Sequence, residues 1–453
     1  MGTVPTSVMC FRSDFRLNDN PALREAIDAG PDGVVPMFVL DEHYWGPNGR
    51  TRLAYLMALL RDLDERVGGL VVVKGKPWEV VPEVARAVGA TSVHVAADYG
   101  PYEKERDERV EEALAEHDVA LVRTGSSYAV APGRVTKGDG TPYRVFTPFY
   151  RAWQEHGWRA PAPGVRSVPW IRADVSTAEI PDVDPPDGVT LPPLGEEAAR
   201  RQWHAYLDHV DDYDDVRDLP GRDATSRMSV HLKWGTIHPR TLLADLAERG
   251  TKGAEAYARE LAFREFYADV VHHRPDTLAG YYDKRFEAMD YDEPGDDLQA
   301  WKDGRTGFPI VDAGMRQLMA EGFMHNRVRM IVASFLVKDL HLEWTVGADH
   351  FLDLLVDADP PSNQHGWQWV AGCGTDASPY FRIFNPTSQG KKFDPDGTYV
   401  RRWVPELADV PAKHVHTPWD MDEPPADYPA PIVDHAEERT ESLRRYEVVK
   451  SAG

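Results

Sequence analysis

Two tryptophans separated by a single glutamine, Trp367 and Trp369, are the side chains of this sequence best suited to hold other molecules by their rings. At about 100° per residue, side chains two apart on a helix point about 200° away from each other and cannot share one face. One indole is therefore predicted to face a molecule bound inside the protein, and the other a molecule arriving from outside. The alternative is a pair of core tryptophans on a fully buried helix.

A cluster of hydroxyl and basic residues precedes a predicted helix and forms a candidate anion site. Its members are Thr225, Ser226, Arg227, Met228 and Ser229. Hydroxyls and unpaired backbone N–H groups at a helix start bind anions, so the pyrophosphate of a nucleotide cofactor would fit. Ordinary helix capping is the alternative. Tyr213 and Arg217, four residues apart, either support the same site or merely solvate a helix.

A third group places a carboxylate, aromatic rings and a cation on one predicted helical stripe. Glu260, Phe263, Arg264 and Tyr267 recur at positions i, i+3, i+4 and i+7. This spacing is typical of packing with an internal ion pair. It also fits an aromatic-walled pocket whose carboxylate hydrogen-bonds a planar polar ligand.

Basic residues also open a long predicted helix near residue 326. Asn326, Arg329 and Met330 fall on one face of it, and Arg327 lies beside them. Arginines at a helix start oppose the positive end of the helix dipole, so an anion is expected nearby.

The order of apolar runs predicts two domains of different class. Residues 1–132 alternate short β-branched strands with amphipathic helices, which indicates an α/β domain with a Rossmann-like parallel sheet, covered by helices on both faces. Its ligand is expected at the carboxyl ends of the strands. Proline-rich residues 133–195 are predicted to form an extended linker, and residues 196–453 an all-helical domain.

Composition limits the partners and the compartment. The 453 residues carry a net charge of −23, so any nucleic-acid site must be a local basic patch on an acidic surface. Cys10 and Cys373 are the only cysteines, which excludes a disulfide framework, cannot ligate an iron–sulfur cluster and favours a reducing cytoplasm. No apolar run reaches the ~18 residues of a membrane span. A monomer with no membrane partner is expected.

On these residues and on longer motifs, the chain resembles the photolyase/cryptochrome flavoprotein family, and specifically class I cyclobutane pyrimidine dimer photolyases. The motifs are FRSDFRL at 11–17, TGFPIVD at 306–312 and YFRIFNP at 380–386. The resemblance implies FAD in the helical domain and light-driven repair of pyrimidine dimers by electron transfer from the reduced flavin. A cryptochrome-like light sensor that signals through a partner is the alternative. Retention of the lesion-pocket residues favours repair.

The resemblance also assigns roles to individual residues. Flavin contacts are expected from Tyr213, Thr225, Ser226, Arg227, Met228, Ser229, Tyr257, Arg329, Asp357, Ala358, Asp359 and Asn363. Asn363 would face the flavin N5, as in repair enzymes. Trp367, Trp344 and Tyr291 would form the photoreduction chain. Tyr291 stands where the family has tryptophan, and a plain surface aromatic is the alternative for it.

The substrate implied by the resemblance is UV-damaged DNA with its dimer flipped out of the duplex. Contacts to the lesion or its phosphates are expected from Arg217, Glu260, Phe263, Arg264, Tyr267, Asn326, Arg327, Met330, Trp369 and Gln389, with Lys391, Lys392 and Arg401 as further phosphate candidates. The N-terminal domain would hold an antenna pigment near Phe38, Arg52, Asp98 and Glu103. Residue patterns around position 102 favour 8-hydroxy-5-deazaflavin over methenyltetrahydrofolate.

Overall fold

The computed structural model describes residues 6–45, 49–165, 167–376 and 381–451. The N-terminal domain alternates strands and helices in the order β1 Thr6–Phe11, α1 Pro21–Ala29, β2 Val34–Asp41, α2 Glu42–Trp45, α3 Arg50–Val67, β3 Val71–Gly75, α4 Pro77–Ala87, β4 Ala90–Ala97, α5 Pro101–Ala115 and β5 Ala120–Ser126.

The strands form one parallel five-stranded sheet in the order β3-β2-β1-β4-β5. Residues on both faces are buried, because the strands are continuous β-branched runs that helices cover on each side. The α/β prediction for this domain is confirmed. The strand order reverses beside β1, so β1, β2 and β4 end around a common crevice.

The connector departs from its prediction in one place. Residues 133–195 are not wholly extended, because α6 Phe146–His156 lies among them. Phe146, Phe149 and Trp153 follow helical spacing and are all buried, so packing of this apolar stripe overrides the proline-rich context. The rest of the connector crosses the N-terminal domain and pairs with its strands: Ile171 N donates to the Val34 carbonyl at 3.1 Å, and Ala178 N to the Val72 carbonyl at 2.7 Å.

The remaining residues build the helical domain, as predicted. Its helices are α7 Gly195–Leu207, α8 Tyr213–Val216, α9 Ser229–Lys233, α10 Pro239–Arg249, α11 Lys252–His273, α12 Asp296–Lys302, α13 Pro309–Glu321, α14 Asn326–Lys338, α15 Trp344–Leu354, α16 Pro360–Ala371, α17 Pro386–Phe393, α18 Thr398–Trp403 and α19 His435–Ser451. Short 3₁₀ turns lie at Val210–Asp212, Pro220–Arg222, Pro275–Leu278, Lys284–Ala288, Pro405–Leu407 and Pro418–Asp420.

A buried carboxylate fixes α11 against the connector. Glu265 accepts hydrogen bonds from the backbone N–H groups of Ala129 and Val130 and from Trp153 Nε1, the last at 2.6 Å. Burial raises the pKa of Glu265, while these donors and Arg264 lower it. The carboxylate therefore sets the position of α11, the helix that carries the predicted stripe of Glu260, Phe263, Arg264 and Tyr267.

We expect Glu265→Ala to destabilise the protein by about 3–5 kcal/mol, because it leaves three buried donors without an acceptor. Urea unfolding followed by circular dichroism measures the change. Glu197→Ala is the matched control, since Glu197 on α7 makes a solvent-exposed ion pair with Arg201 at 3.5 Å and should leave the midpoint unchanged. Equal midpoints for the two variants would contradict the assigned role of Glu265.

Candidate functional site

Helix α16 separates the two tryptophans as their spacing predicts. Trp367 is 3% exposed and lies in the core, with its ring centroid 5.0 Å from Phe351 and 6.2 Å from Trp301. Trp369 is half-buried, and its Nε1 donates to the Asp376 carbonyl at 3.1 Å. The alternative of two core tryptophans is therefore wrong: one indole faces inward and the other reaches the surface.

Residues 225–229 form a tight loop against Tyr257. Ser226 Oγ lies 2.6 Å from the Tyr257 hydroxyl and accepts from Met228 N, while Arg227 adopts a left-handed backbone with φ of 52°. Tyr213 packs on Tyr257 with a centroid distance of 5.0 Å. Helix α9, which starts at Ser229, has only five residues, so this loop, and not a long helix dipole, would supply donors to an anion.

The charge of Arg227 is already shared between two carboxylates. Its guanidinium contacts Asp223 at 2.9 Å and Glu321 at 3.1 Å, and it lies over the Phe323 ring. Arg329 covers the same ring at 5.5 Å. The predicted anion loop and the start of α14 are therefore neighbours, joined through Phe323.

Arg329 and Asp357, both expected to contact the flavin, form an ion pair with each other. Arg329 Nη2 lies 3.0 Å from Asp357 Oδ2, and the Asp357 side chain is 2% exposed. Ala358 is buried beside it. On α16, Asn363 Nδ2 donates to the Ala348 carbonyl at 3.1 Å and to Gln364 Oε1 at 2.8 Å. Within the described ranges both of its hydrogen bonds use the amide nitrogen, which leaves its carbonyl oxygen to accept from a ligand.

The donor set of this region suits FAD. The loop at residues 225–229 with Tyr257 suits the phosphates of a flavin nucleotide, and the Arg329–Asp357 pair suits its ribityl chain. The side-chain oxygen of Asn363 suits its ring. The described residues hold no cluster of metal-ligating side chains.

Two of the predicted lesion-binding arginines, Arg217 and Arg327, are each held by a carboxylate. Arg217 Nη1 lies 2.7 Å from Glu260 Oε1, so Glu260 pairs with an arginine outside its own stripe. Arg327 contacts Asp218 at 2.9 Å and lies over the Phe393 ring at the end of α17, the helix of Gln389. These pairs bring α8, α11, α14 and α17 around one surface region.

Aromatic and sulfur-containing side chains line the same region. Phe263 stacks on Phe146 at 3.4 Å between ring centroids, and Tyr267 lies 6.1 Å from Phe263. Met330 is half-buried and Asn326 is exposed at the start of α14. The stack with Phe146 was not foreseen from the sequence, because Phe146 lies in the connector.

Arg264 is the exception to the predicted lesion group. Its guanidinium donates to the carbonyl of Ser127 at 2.8 Å and to that of Leu232 at 3.4 Å, and it lies over the Tyr128 ring. The lesion contact of Arg264 stays a prediction, and in this structure its guanidinium is engaged by backbone carbonyls. The long Arg264 side chain extends until its guanidinium reaches hydrogen-bond acceptors. Those acceptors are carbonyl groups of residues 127 and 232, one in each domain.

A cavity of about 660 Å³ lies at the carboxyl ends of the strands, where the first domain meets the second. Its lining includes all four antenna candidates, Phe38, Arg52, Asp98 and Glu103, together with Arg264, Lys233 and Asp359. Asp359, predicted to contact FAD, caps α16 by accepting from Ser362 Oγ at 2.6 Å. Burial would raise the pKa of Asp359, but Arg264 and Lys233 hold it below its usual value.

The predicted photoreduction residues are connected through α15. Gly347 on this helix touches the Trp367 ring, because a Cβ at Gly347 would fall 2.1 Å from Trp367 Cη2. Trp344, three residues earlier, is fully buried. Among the described residues its aromatic neighbour is Tyr281, at 6.2 Å between ring centroids. Tyr291, predicted as an exposed end of the chain, is half-buried and hydrogen-bonded to Tyr281.

Comparisons with known proteins identify the family of this chain. The FAD-binding domain of DNA photolyase matches residues 257–448, and the DNA photolyase family matches residues 7–166. A Streptomyces griseus deoxyribodipyrimidine photo-lyase is 44% identical over 448 residues, covering 96% of this chain and 97% of that protein.

This chain belongs to the DNA photolyase family. Among solved structures, it is similar to a class III photolyase from Agrobacterium tumefaciens, with TM-score 0.93 and 35% identity over 100% of this chain and 99% of that one. It is also similar to a Sulfolobus tokodaii photolyase with two FAD molecules, with TM-score 0.85 and 30% identity over 98% of this chain and 99% of that one. The family prediction is confirmed. The class I assignment stays a prediction, since a class III photolyase shares the fold.

Along the described part of the chain, no helix is both long and apolar enough to cross a bilayer.

We expect Gly347→Ala to displace the Trp367 ring and to destabilise the flavin-free protein by about 1–3 kcal/mol, because the added methyl overlaps both Trp367 and Leu336. Thermal unfolding followed by tryptophan fluorescence measures both effects. Gly366→Ala on α16 is the control: its methyl meets nothing within 4 Å, and alanine favours a helix over glycine by about 0.5–1 kcal/mol. A stable Gly347→Ala with unaltered fluorescence would refute this packing.

Proposed function

We propose that this protein repairs cyclobutane pyrimidine dimers in DNA, using light and a reduced FAD, as a deoxyribodipyrimidine photo-lyase. The observation that carries the proposal is the orientation of α16, on which Trp367 lies in the core while Trp369 is only half-buried. Family membership with a relative of that name supports it.

FAD would be held by the loop at residues 225–229, Tyr213 and Tyr257, by the Arg329–Asp357 pair with Ala358, and by Asn363. When bound, the flavin supplies the light-driven electron chemistry, and the chain supplies placement and electrostatics. Asp357 and the Met324 carbonyl, the latter at 2.7 Å, both bind the Arg329 guanidinium. These contacts fix the position of its positive charge. Asn363 would present its carbonyl oxygen to the flavin ring, since its nitrogen is engaged by Ala348 and Gln364.

The damaged DNA would be bound in two ways: its bases would stack on aromatic rings, and its phosphates would replace the carboxylates that pair with two arginines. An extruded dimer costs a few kcal/mol to flip out, and stacking on an aromatic ring returns ~1–3 kcal/mol per base. Trp369 and Phe263 would be the walls and Met330 the floor. Glu260 and Asn326 would bond the pyrimidine edges, while Arg217, Arg327 and Gln389 would contact phosphates. Arg217 and Arg327 keep their acidic partners in the free protein, so DNA must compete with Glu260 and Asp218 for them.

We expect Trp369→Ala to weaken binding of UV-damaged oligothymidine roughly 5- to 150-fold, which corresponds to the loss of one stacked base. Fluorescence anisotropy in the dark measures the affinity. Trp78→Ala is the control, because Trp78 lies on α4 of the first domain, where Arg109 covers its ring at 3.4 Å. An equal loss of affinity in both variants would contradict the lesion pocket.

The direct test of the activity is recovery of thymine absorbance. Damaged oligothymidine, mixed with the flavin-reduced protein, should regain its thymine band under blue light and not in the dark. The cryptochrome-like alternative predicts an unchanged band with flavin bound. Since the chain keeps Glu260, Asn326, Met330 and Trp369, repair is favoured.

The interdomain cavity would hold the antenna pigment. Its aromatic lining, including Phe38 and Tyr102, and its volume of about 660 Å³ suit a flat heteroaromatic ring. We favour 8-hydroxy-5-deazaflavin over methenyltetrahydrofolate, with Arg52, Asp98 and Glu103 as polar contacts. A second FAD is the remaining candidate, because the Sulfolobus tokodaii photolyase contains two FAD molecules.

We expect Leu53→Trp to exclude the antenna pigment while FAD remains bound, because Leu53 on α3 lines the cavity and a larger ring would fill it. Absorption spectra of chromophores extracted from the purified protein report both contents. Glu65→Trp adds the same ring on the exposed face of α3 and should retain both. Retention of the pigment by Leu53→Trp would rule out this cavity as its site.

A cytoplasmic monomer is the proposed form of the protein. Cys10 and Cys373 are both buried and free, which suits a reducing compartment.

A further inference from the structure

Tyr281 and Glu343 form a cluster with Trp344 that neither the flavin site nor the lesion region uses. The Tyr281 hydroxyl donates to Glu343 Oε1 at 2.6 Å, and Glu343 directly precedes Trp344 at the start of α15. The Tyr281 ring lies 6.2 Å from that of Trp344 in an edge-on arrangement, with 76° between the planes. Only 8% of Tyr281 is exposed.

The indole of Trp344 is unusual among these groups because its N–H is buried without an acceptor in the described part of the chain. Buried polar atoms normally find partners, and an exception calls for an explanation such as a redox role. A tryptophan that has lost one electron is acidic at this N–H. With no acceptor in reach, oxidised Trp344 keeps its proton and remains a strongly oxidising radical cation.

Tyr281 has the proton acceptor that Trp344 lacks. A phenol loses an electron readily only if its proton leaves at the same time, and the Glu343 carboxylate lies within the distance required for proton transfer. Burial, together with Tyr291 and Glu343, raises the pKa of Tyr281, so the phenol is neutral and holds its proton before any reaction.

We propose that Tyr281, with Glu343 as its proton acceptor, gives up an electron to oxidised Trp344. The inference rests on the proposed function, since the electron vacancy reaches Trp344 through Trp367 after light excites the bound flavin. One electron passes from Tyr281 to the Trp344 radical cation, the phenol O–H bond breaks, and the proton joins the Glu343 carboxylate. The products are neutral tryptophan, a neutral tyrosyl radical and a carboxylic acid, so charge is conserved.

Tyr291 is a neighbour of Tyr281 and is not the assigned electron donor. The proton acceptor Glu343 lies at the Tyr281 hydroxyl. The end of the electron chain moves from Tyr291, expected from the sequence, to Tyr281.

Flash photolysis of the flavin-loaded protein tests the assignment. The wild type should show the narrow absorption band and electron paramagnetic resonance signal of a neutral tyrosyl radical, formed more slowly in heavy water. Tyr281→Phe keeps the ring and removes the hydroxyl, and Glu343→Gln keeps the shape and removes the base. Both should abolish the tyrosyl signal and leave a short-lived tryptophan signal. Tyr291→Phe, the matched control, should retain the tyrosyl signal.

Loss of the tyrosyl signal in Tyr291→Phe together with its persistence in Tyr281→Phe would overturn the proposal. So would a tyrosyl signal that survives in Glu343→Gln at the wild-type rate. Flavin content reports folding of each variant, and Glu343→Gln leaves the buried ring packing untouched. Dark-reduced wild-type protein needs no electron from Tyr281, so its failure to repair damaged oligothymidine would count against the proposed function alone.

Discussion

The helical period of α16 is the constraint on which the rest of the site depends. Residues two apart on a helix must diverge, so one short segment places Trp367 among core rings and Trp369 at the surface. Asp359 caps the same helix and Asn363 occupies its first turn. One helix therefore contributes to the cavity, the proposed flavin site, the electron chain and the lesion surface. A change in its rotation would disturb all four regions together.

Charge on the protein is organised by local pairing. With a net charge of −23, the surface as a whole repels DNA, and the arginines expected to bind phosphate are held by Glu260 and Asp218. These pairs keep the cations in place in the free protein. They also require that a phosphate ligand compete with each carboxylate for its arginine.

Much of the fold follows from local patterns in the sequence. The five parallel strands coincide with β-branched runs, and α1 begins at Pro21 because Asn20 caps it. The divergence of Trp367 and Trp369 needs only the helical period. Pairings within one helix or between nearest elements were predictable for the same reason.

The features that were missed depend on contacts between distant segments. Tyr281 and Glu343 are 62 residues apart, and nothing in either segment indicates that they meet. Arg264 lies close to the lesion stripe by periodicity, yet its guanidinium extends to Ser127 in the other domain, 137 residues away. Helix α6 was not predicted because its apolar stripe lies in a proline-rich stretch. The stripe forms a helix because it packs against α11.

The path of the connector has a consequence for assembly. Because Ile171 and Ala178 hydrogen-bond to Val34 and Val72, this segment adds to strands that must already exist. The N-terminal domain is synthesised first, so its sheet would form before the connector and the helical domain leave the ribosome. The connector would then pair with strands that are already in place. The connector thereby ties the start of the helical domain to strands β2 and β3 of the first domain.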